Sequence, residues 1–232
     1  METVLVVVAL LIALVVGVRG FLVWRARTAY PIREVPGFLS DDECAHLIEI
    51  ARPRLRQSTI VSDGERGTLD TQRKSGSAFL DQSGDRVVQG VKRRIAELTD
   101  TPIENQERLQ VTHYHPGERY APHFDALGAS GLDTDEAGDR TWTVILYLND
   151  DYAGGATVFP RLMRRVRPEK GKAVVFRNLT PDGARHDPLA IHAGAAVSDG
   201  EKWLSNQWIR QRRRHGGAKT GQRAKRGRRR AS

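Results

Sequence analysis

His123-Phe124-Asp125 sets an imidazole and a carboxylate two residues apart. In extended chain, residues i and i+2 share a face, so both groups can aim at one ion while Phe124 points away. One more imidazole would complete the two-histidine, one-carboxylate set that holds non-heme iron(II) and leaves coordination positions open. His192 is the best candidate, because it closes the apolar segment Leu189-Ala190-Ile191 and runs into Ala193-Gly194. Lys202 follows ten residues later, ahead of Trp203 and another strand pattern. A turn at Asp199-Gly200 would bring that strand back beside His192 and aim the Lys202 ammonium into the same cavity. A buried ammonium needs an anion, and a substrate carboxylate would serve. His113 and His115 form a second i, i+2 pair and a rival donor set. His46, His186 and His215 fall in a helix, a polar loop and the tail, and read as surface residues.

These side chains need elements to hold them. Ser40 or Asp41 reads as an N-cap, followed by Cys44, Leu47, Ile48 and Ala51 at helical spacing. A second amphipathic helix is expected over Val87–Leu98, with Val88, Val91, Ile95 and Leu98 on one face. Between them, Ser58 to Asp85 is rich in Gly, Ser, Asp and Arg and reads as long loops around short strands. Downstream come short strand patterns at Leu109–Tyr114, Thr141–Leu148, Ala156–Phe159, Ala173–Phe176, Ala190–His192 and Trp203–Ile209. Turn signals such as Pro116-Gly117, Gly154-Gly155 and Asp199-Gly200 separate them, the pattern of a sandwich or barrel with helices on one side. Ala126 to Asp139 is long, rich in Gly and Asp, and reads as a lid.

The ends of the chain are different. Val4 to Trp24 is a run of 21 residues broken only by Arg19, and about 20 helical residues cross a bilayer core. Met1-Glu2-Thr3 offers no basic n-region, and no small-residue cleavage site follows, so an uncleaved anchor is favoured over a signal peptide. The expected division is a transmembrane anchor at 1–24, a linker at 25–34, a catalytic domain at 35–212 and a basic, disordered tail at 213–232. A single-pass membrane location follows, at the endoplasmic reticulum if the chain is eukaryotic or virus-encoded. Arg19, Arg25 and Arg27 lean towards a cytosolic domain, on a charge difference too small to fix sidedness. The net charge is +9, yet residues 210–232 hold eleven Lys/Arg and no acid. Subtracting those eleven leaves −2 for residues 1–209, so the basicity belongs to the tail. The single cysteine, Cys44, excludes an intrachain disulfide and a thiolate metal cluster.

LQVTHYHPGERYAPHFD (109–125), RTWTVILYLNDDYAGGATVFP (140–160) and HAGAAVSDGEKWLSNQWI (192–209) together resemble the prolyl 4-hydroxylase family of iron(II)/2-oxoglutarate dioxygenases. Val35–Leu39, Arg73–Leu80 and Pro102–Asn105 match it in order, so the resemblance covers about residues 35 to 210. It implies an α+β, mainly β domain: a double-stranded β-helix (jelly-roll) core with flanking N-terminal helices, here preceded by one transmembrane helix. It also implies hydroxylation of peptidyl proline with Fe(2+), 2-oxoglutarate, O2 and L-ascorbate. His123, Asp125 and His192 would then be the iron ligands. Lys202 would pair with the distal carboxylate of 2-oxoglutarate, and Tyr114 and Thr157 would add hydrogen bonds to it. Tyr120, Arg140 and Trp208 match positions that line the substrate side. Ala195-Ala196 stands where the family usually has Cys-Pro, and His113 where Asn is common, which puts the substrate in question more than the reaction.

Two other readings stay open. An oxygenase of the same chemistry could act on another protein side chain or on nucleic acid, to which the basic tail would be drawn. However, the tail lacks the interleaved aromatics that stack on bases. Alternatively, the chain is a non-enzymatic, membrane-tethered binding module whose tail grips anionic lipid or nucleic acid.

Overall fold

The computed structural model describes residues 12, 14–21, 30–57, 59–60, 68–69, 75–81, 84–130 and 134–213. Most of the expected anchor, the expected tail beyond Arg213 and much of the Ser58–Asp85 loop region lie outside the described residues. Residues 14–21 are helical. Among the described residues, no helix is long and apolar enough to cross a membrane.

The strands, in chain order, are β1 (Ile32–Val35), β2 (Arg56–Gln57), β3 (Thr59–Ile60), β4 (Thr68–Leu69), β5 (Gly76–Leu80), β6 (Leu109–Tyr114), β7 (Tyr120–His123), β8 (Arg140–Tyr147), β9 (Ala153–Gly154), β10 (Thr157–Phe159), β11 (Arg164–Val166), β12 (Ala173–Arg177), β13 (His192–Gly194), β14 (Val197–Asp199) and β15 (Lys202–Arg210). A seven-stranded sheet runs β1-β12-β8-β15-β6-β5-β2, and a four-stranded sheet runs β11-β10-β13-β7. All the pairings are antiparallel. The two sheets pack face to face as a mainly β, jelly-roll sandwich.

Alternation along the large sheet decides what each face meets. Val144, Leu146 and Leu148 join Ala173, Val175 and Ile209 in one apolar cluster, while Ile145, Tyr147, Val174 and Phe176 join Phe159 and Val166 of the small sheet in another. The first cluster is covered by two helices, α1 (Asp41–Ala51) and α2 (Arg86–Thr99). Ser40 starts α1 through a reciprocal capping box with Glu43, and Asp41, Asp42 and Glu43 set negative charge in its first turn. Asp85 caps α2 by accepting the Val88 amide at 2.9 Å. The apolar faces, Cys44, Leu47 and Ala51 on α1 and Val88, Val91 and Ile95 on α2, are buried against the sheet. Each large aliphatic among them contributes about 1.5–3 kcal/mol. An Arg94–Glu43 ion pair at 2.8 Å links the two helices.

Three expectations are corrected. The proposed linker 25–34 is folded chain from Tyr30 onward: Tyr30 is buried and its hydroxyl donates to the Arg177 carbonyl, and β1 zips along β12. Sheet pairing recruits Ile32-Arg33-Glu34-Val35 because Ile32 has a core to enter while Arg33 and Glu34 remain exposed. The strand expected at Ala190–His192 starts only at His192. Pro188 opens a 3-10 turn there, with Asp187 capping it through the Leu189 amide at 2.9 Å. Finally, β7 ends at His123, so Asp125 lies just past the strand rather than on it.

Candidate active site

The small sheet builds the first half of the site. β13 pairs with β7 so that His192 and His123 are direct cross-strand partners. Their rings sit 4.3 Å apart, centroid to centroid. Asp125 comes in from the chain leaving β7, with Oδ1 3.6 Å from His123 Nε2 and Oδ2 3.5 Å from His192 Nε2. One ligand atom from each of the three residues lies within 4.8 Å of the others. His123 Nδ1 lies 2.8 Å from the Ala121 carbonyl and His192 Nδ1 lies 3.0 Å from the Ala190 carbonyl. A carbonyl can only accept, so each Nδ1 carries the proton and each Nε2 turns a lone pair to the common centre.

Electrostatics prepares the same centre. Burial and the neighbouring His123 hold the His192 imidazole down to about 4, so it is neutral at ordinary pH. Burial raises the Asp125 carboxyl, but His192, His123 and Arg140 more than offset it and hold the group ionised well below the usual carboxylate range. Thr143 Oγ1 donates to Asp125 Oδ2 at 2.7 Å and accepts from Asn178 Nδ2 at 2.8 Å. This Asn178–Thr143–Asp125 chain fixes the carboxylate from behind. Two imidazoles and one oriented carboxylate, all buried or half-buried, form a donor set that suits iron(II).

The large sheet supplies the other half. On β15, Lys202, Leu204, Asn206 and Trp208 alternate into a cleft of about 410 Å³ that also reaches the three candidate ligands. Lys202 is 2% exposed. Its Nζ donates to the Gly155 carbonyl at 2.6 Å and stands 5.3 Å from the Tyr114 ring and 5.7 Å from the Tyr147 ring. No carboxylate among the described residues pairs with it, and burial alone pushes it down to about 7. Gly155 makes this arrangement possible: it has φ +61°, and a Cβ there would stand 3.0 Å from Lys202 Cδ and 2.7 Å from the Tyr152 ring. An enclosed cation with no protein anion calls for an anionic ligand in the cleft.

The remaining sequence candidates fall in two groups. Tyr114, Thr157, Tyr120 and Trp208 line the cleft. Thr157 Oγ1 is engaged with the Tyr147 hydroxyl at 2.7 Å. Tyr120 stacks on the His123 ring at 3.6 Å. Arg140 sits behind the lining: its guanidinium lies 3.9 Å over the Trp208 ring, clasps Glu107 at 2.9 Å through both Nε and Nη2, and reaches the Asp125 carbonyl at 3.4 Å. His113 and His115 face away from the cleft, since the alternation of β6 gives the inward position to Tyr114.

Sequence reasoning missed Thr143, Asn178, Tyr147 and Glu107. Thr143 carried a weak signal: a hydroxyl beside the apolar run Val144-Ile145-Leu146 of β8 needs a partner. Asn178 and Glu107 carried none, because their partners are distant in sequence.

With this geometry in view, the relatives are informative. The sequence profile of the 2OG-Fe(II) oxygenase superfamily matches residues 109–210. Prolyl 4-hydroxylase 1 of Arabidopsis thaliana is 38% identical over 191 residues, covering 75% of this chain and 67% of the relative. Probable prolyl 4-hydroxylase 10 of the same plant is 36% identical over 193 residues, covering 75% of this chain and 66% of the relative. The chain thus spans about two thirds of the length of the curated relatives it matches. Among solved structures, the viral collagen prolyl hydroxylase of Paramecium Bursaria Chlorella virus-1, in complex with 2OG, superposes with a TM-score of 0.63 at 28% identity, covering 79% of this chain and 97% of that one.

Proposed function

Because the chain belongs to the prolyl 4-hydroxylase family of 2OG-Fe(II) oxygenases, we propose that it hydroxylates proline within a peptide or protein. The observation that carries this reading is one cleft with His123, Asp125 and His192 at one part and the unpaired, buried Lys202 at another. Iron(II) bound by the triad, with 2-oxoglutarate and O2 as co-substrates, supplies the oxidising power: one oxygen atom goes to the proline ring and the other to succinate as CO2 leaves. L-Ascorbate is the expected reductant that keeps the iron in its ferrous state.

The chain's own residues position and protect. His123 and His192 present Nε2 with their tautomers set by the Ala121 and Ala190 carbonyls. Asp125 stays charged and is held by Thr143. Lys202 pairs with the far carboxylate of 2-oxoglutarate as a charge-assisted contact in a dry pocket, with Tyr114 and Thr157 beside it. Trp208 lines the substrate side of the cleft with its ring, and Arg140 fixes the indole plane from behind. Tyr120 backs His123 and forms an apolar wall for a pyrrolidine ring. A proline-rich peptide is already extended, so little conformational entropy is lost when it binds.

An N-terminal membrane anchor belongs to the same reading. Ile12, Leu14, Val15, Val16 and Val18 are 48–63% exposed, an apolar helix surface that a bilayer would cover.

Turnover of 2-oxoglutarate by the detergent-solubilised full chain, with hydroxyproline read by mass spectrometry, tests the reaction. Proline peptides should couple succinate release to hydroxyproline. His123→Ala and His192→Ala should abolish both, and full activity in either variant would remove the metal assignment. Succinate release that no proline peptide stimulates would remove the substrate class.

A further inference from the structure

On the back of the large sheet, His113, His115 and Glu201 bring three donor atoms within 4.8 Å of one another. We propose that these residues form a second metal site, distinct from the cleft, for a divalent transition-metal ion such as zinc.

Sheet register creates the cluster. Lys202 pairs with Tyr114 and Trp203 with His113, so Glu201 falls opposite His115 where β6 leaves the sheet. Tyr114 and Lys202 point into the cleft, so their neighbours 113, 115 and 201 share the other face. His113 Nε2 is 3.0 Å from Glu201 Oε2, and His115 Nδ1 is 3.7 Å from Glu201 Oε1. Donors bound at about 2.0–2.2 Å around a tetrahedral ion lie about 3.3–3.5 Å from one another. The two imidazoles approach different oxygens of the one Glu201 carboxylate, so a small turn of the exposed His115 and Glu201 side chains would bring one donor from each residue to that spacing. The His113 ring is held by stacking on Trp203 at 4.1 Å. Burial also pushes the His113 imidazole down against the pull of Glu201, towards the form that can ligate. Exposed His115 and Glu201, with side-chain exposures of 56% and 48%, leave an entry path and room for water at a remaining position. Glu118, whose carboxylate accepts the His115 amide at 2.8 Å, adds negative charge nearby. Arg52, 4.8 Å over the Trp203 ring, opposes a cation weakly. Two imidazoles and one carboxylate favour zinc, nickel or copper over calcium or magnesium.

Bound here, an ion would tie the end of β6 to the start of β15 directly behind the Tyr114–Lys202 pair. Its role would be to clamp the register that fixes the co-substrate end of the cleft.

The test is metal stoichiometry on the metal-free full chain in detergent, dialysed against zinc and counted by atomic absorption. Wild type should hold two equivalents. His115→Ala/Glu201→Gln should hold one, as should Asp125→Ala/His192→Ala, and the four substitutions combined should hold none. His115 and Glu201 are exposed, so that pair of changes leaves folding intact, as circular dichroism will verify. A single equivalent in wild type that is lost in Asp125→Ala/His192→Ala, indicating an ion pair only at Glu201, overturns the site. So does an undiminished count in His115→Ala/Glu201→Gln, or residual binding in the combined variant. Binding at the triad is read separately by the Asp125→Ala/His192→Ala arm, so failure here leaves the proposed reaction untouched.

Discussion

Replacing Lys202 by methionine separates what the folded chain tolerates from what the reaction requires. Its ammonium is enclosed with no facing carboxylate, and burial drops it from 10.5 to about 7. Here the folded value lies below the unfolded one, so the unfolded chain binds the extra proton. Stability therefore rises with pH between about 7 and 10.5, and the full penalty applies below that window. At about 1.4 kcal/mol per pH unit, the penalty is on the order of 5 kcal/mol. Methionine keeps the stem but loses the bond to the Gly155 carbonyl and the contacts over Tyr114 and Tyr147, about 2 kcal/mol in all. Urea unfolding of the metal-free chain should find Lys202→Met more stable by about 2–3 kcal/mol at pH ~6.5, with the gap closing or reversing by pH ~9.5. The same change should raise the KM for 2-oxoglutarate about 10- to 100-fold, the worth of one charge-assisted contact. In wild type that KM should climb above neutral pH, because binding the dianion must then take up a proton. A variant less stable at every pH would refute the burial argument. An unchanged KM would refute the role of Lys202 in the cleft.

Two further substitutions probe the frame around the site. Thr143→Val removes the hydroxyl between Asn178 and Asp125, and iron affinity measured by metal-dependent turnover should fall about 10- to 100-fold with the fold retained. Glu107→Gln strips the shared partner of Arg140 and Arg210, whose pairs with it are 2.9 and 3.1 Å long and nearly enclosed. Chemical denaturation should show a loss of about 3–5 kcal/mol, as expected when a buried charge is left uncompensated.

The sequence made the large sheet legible and the small one much less so. β8 and β12 are buried on both faces and their apolar runs announce them, whereas β6 and β15 are equally buried but mix in polar residues such as Gln110, Thr112, Ser205 and Gln207. β7 reads Tyr-Ala-Pro-His, and Pro122 argues against a strand. It survives because β7 is the edge of its sheet, where a missing amide donor costs no ladder bond. β1 is an edge as well, and its two outward charges hid it. The candidate triad was visible because its ligand chemistry is unusual at that spacing, although Asp125 arrives by a bend after the strand. The Asn178–Thr143 support was not visible. Neutral polar residues 35 apart in sequence carry no pattern, and only folding brings them into contact. Arg140 showed the opposite failure: its position was noted, but its engagement with Glu107 depends on a partner that sequence alone could not supply.

The single strand β15 carries a further consequence. It is hydrogen-bonded on both sides, to β6 and to β8, and its inward residues run from the co-substrate end at Lys202 to the peptide end at Trp208. Inserting or deleting one residue anywhere between them would turn Trp203 or Gln207 inward and send half the cleft to the outer face. Diversification must therefore avoid this strand. Length changes are affordable only in connections between strands, which do not set this register. A lineage built on this plan can change the polypeptides it accepts by altering loops, while its way of holding the co-substrate stays fixed.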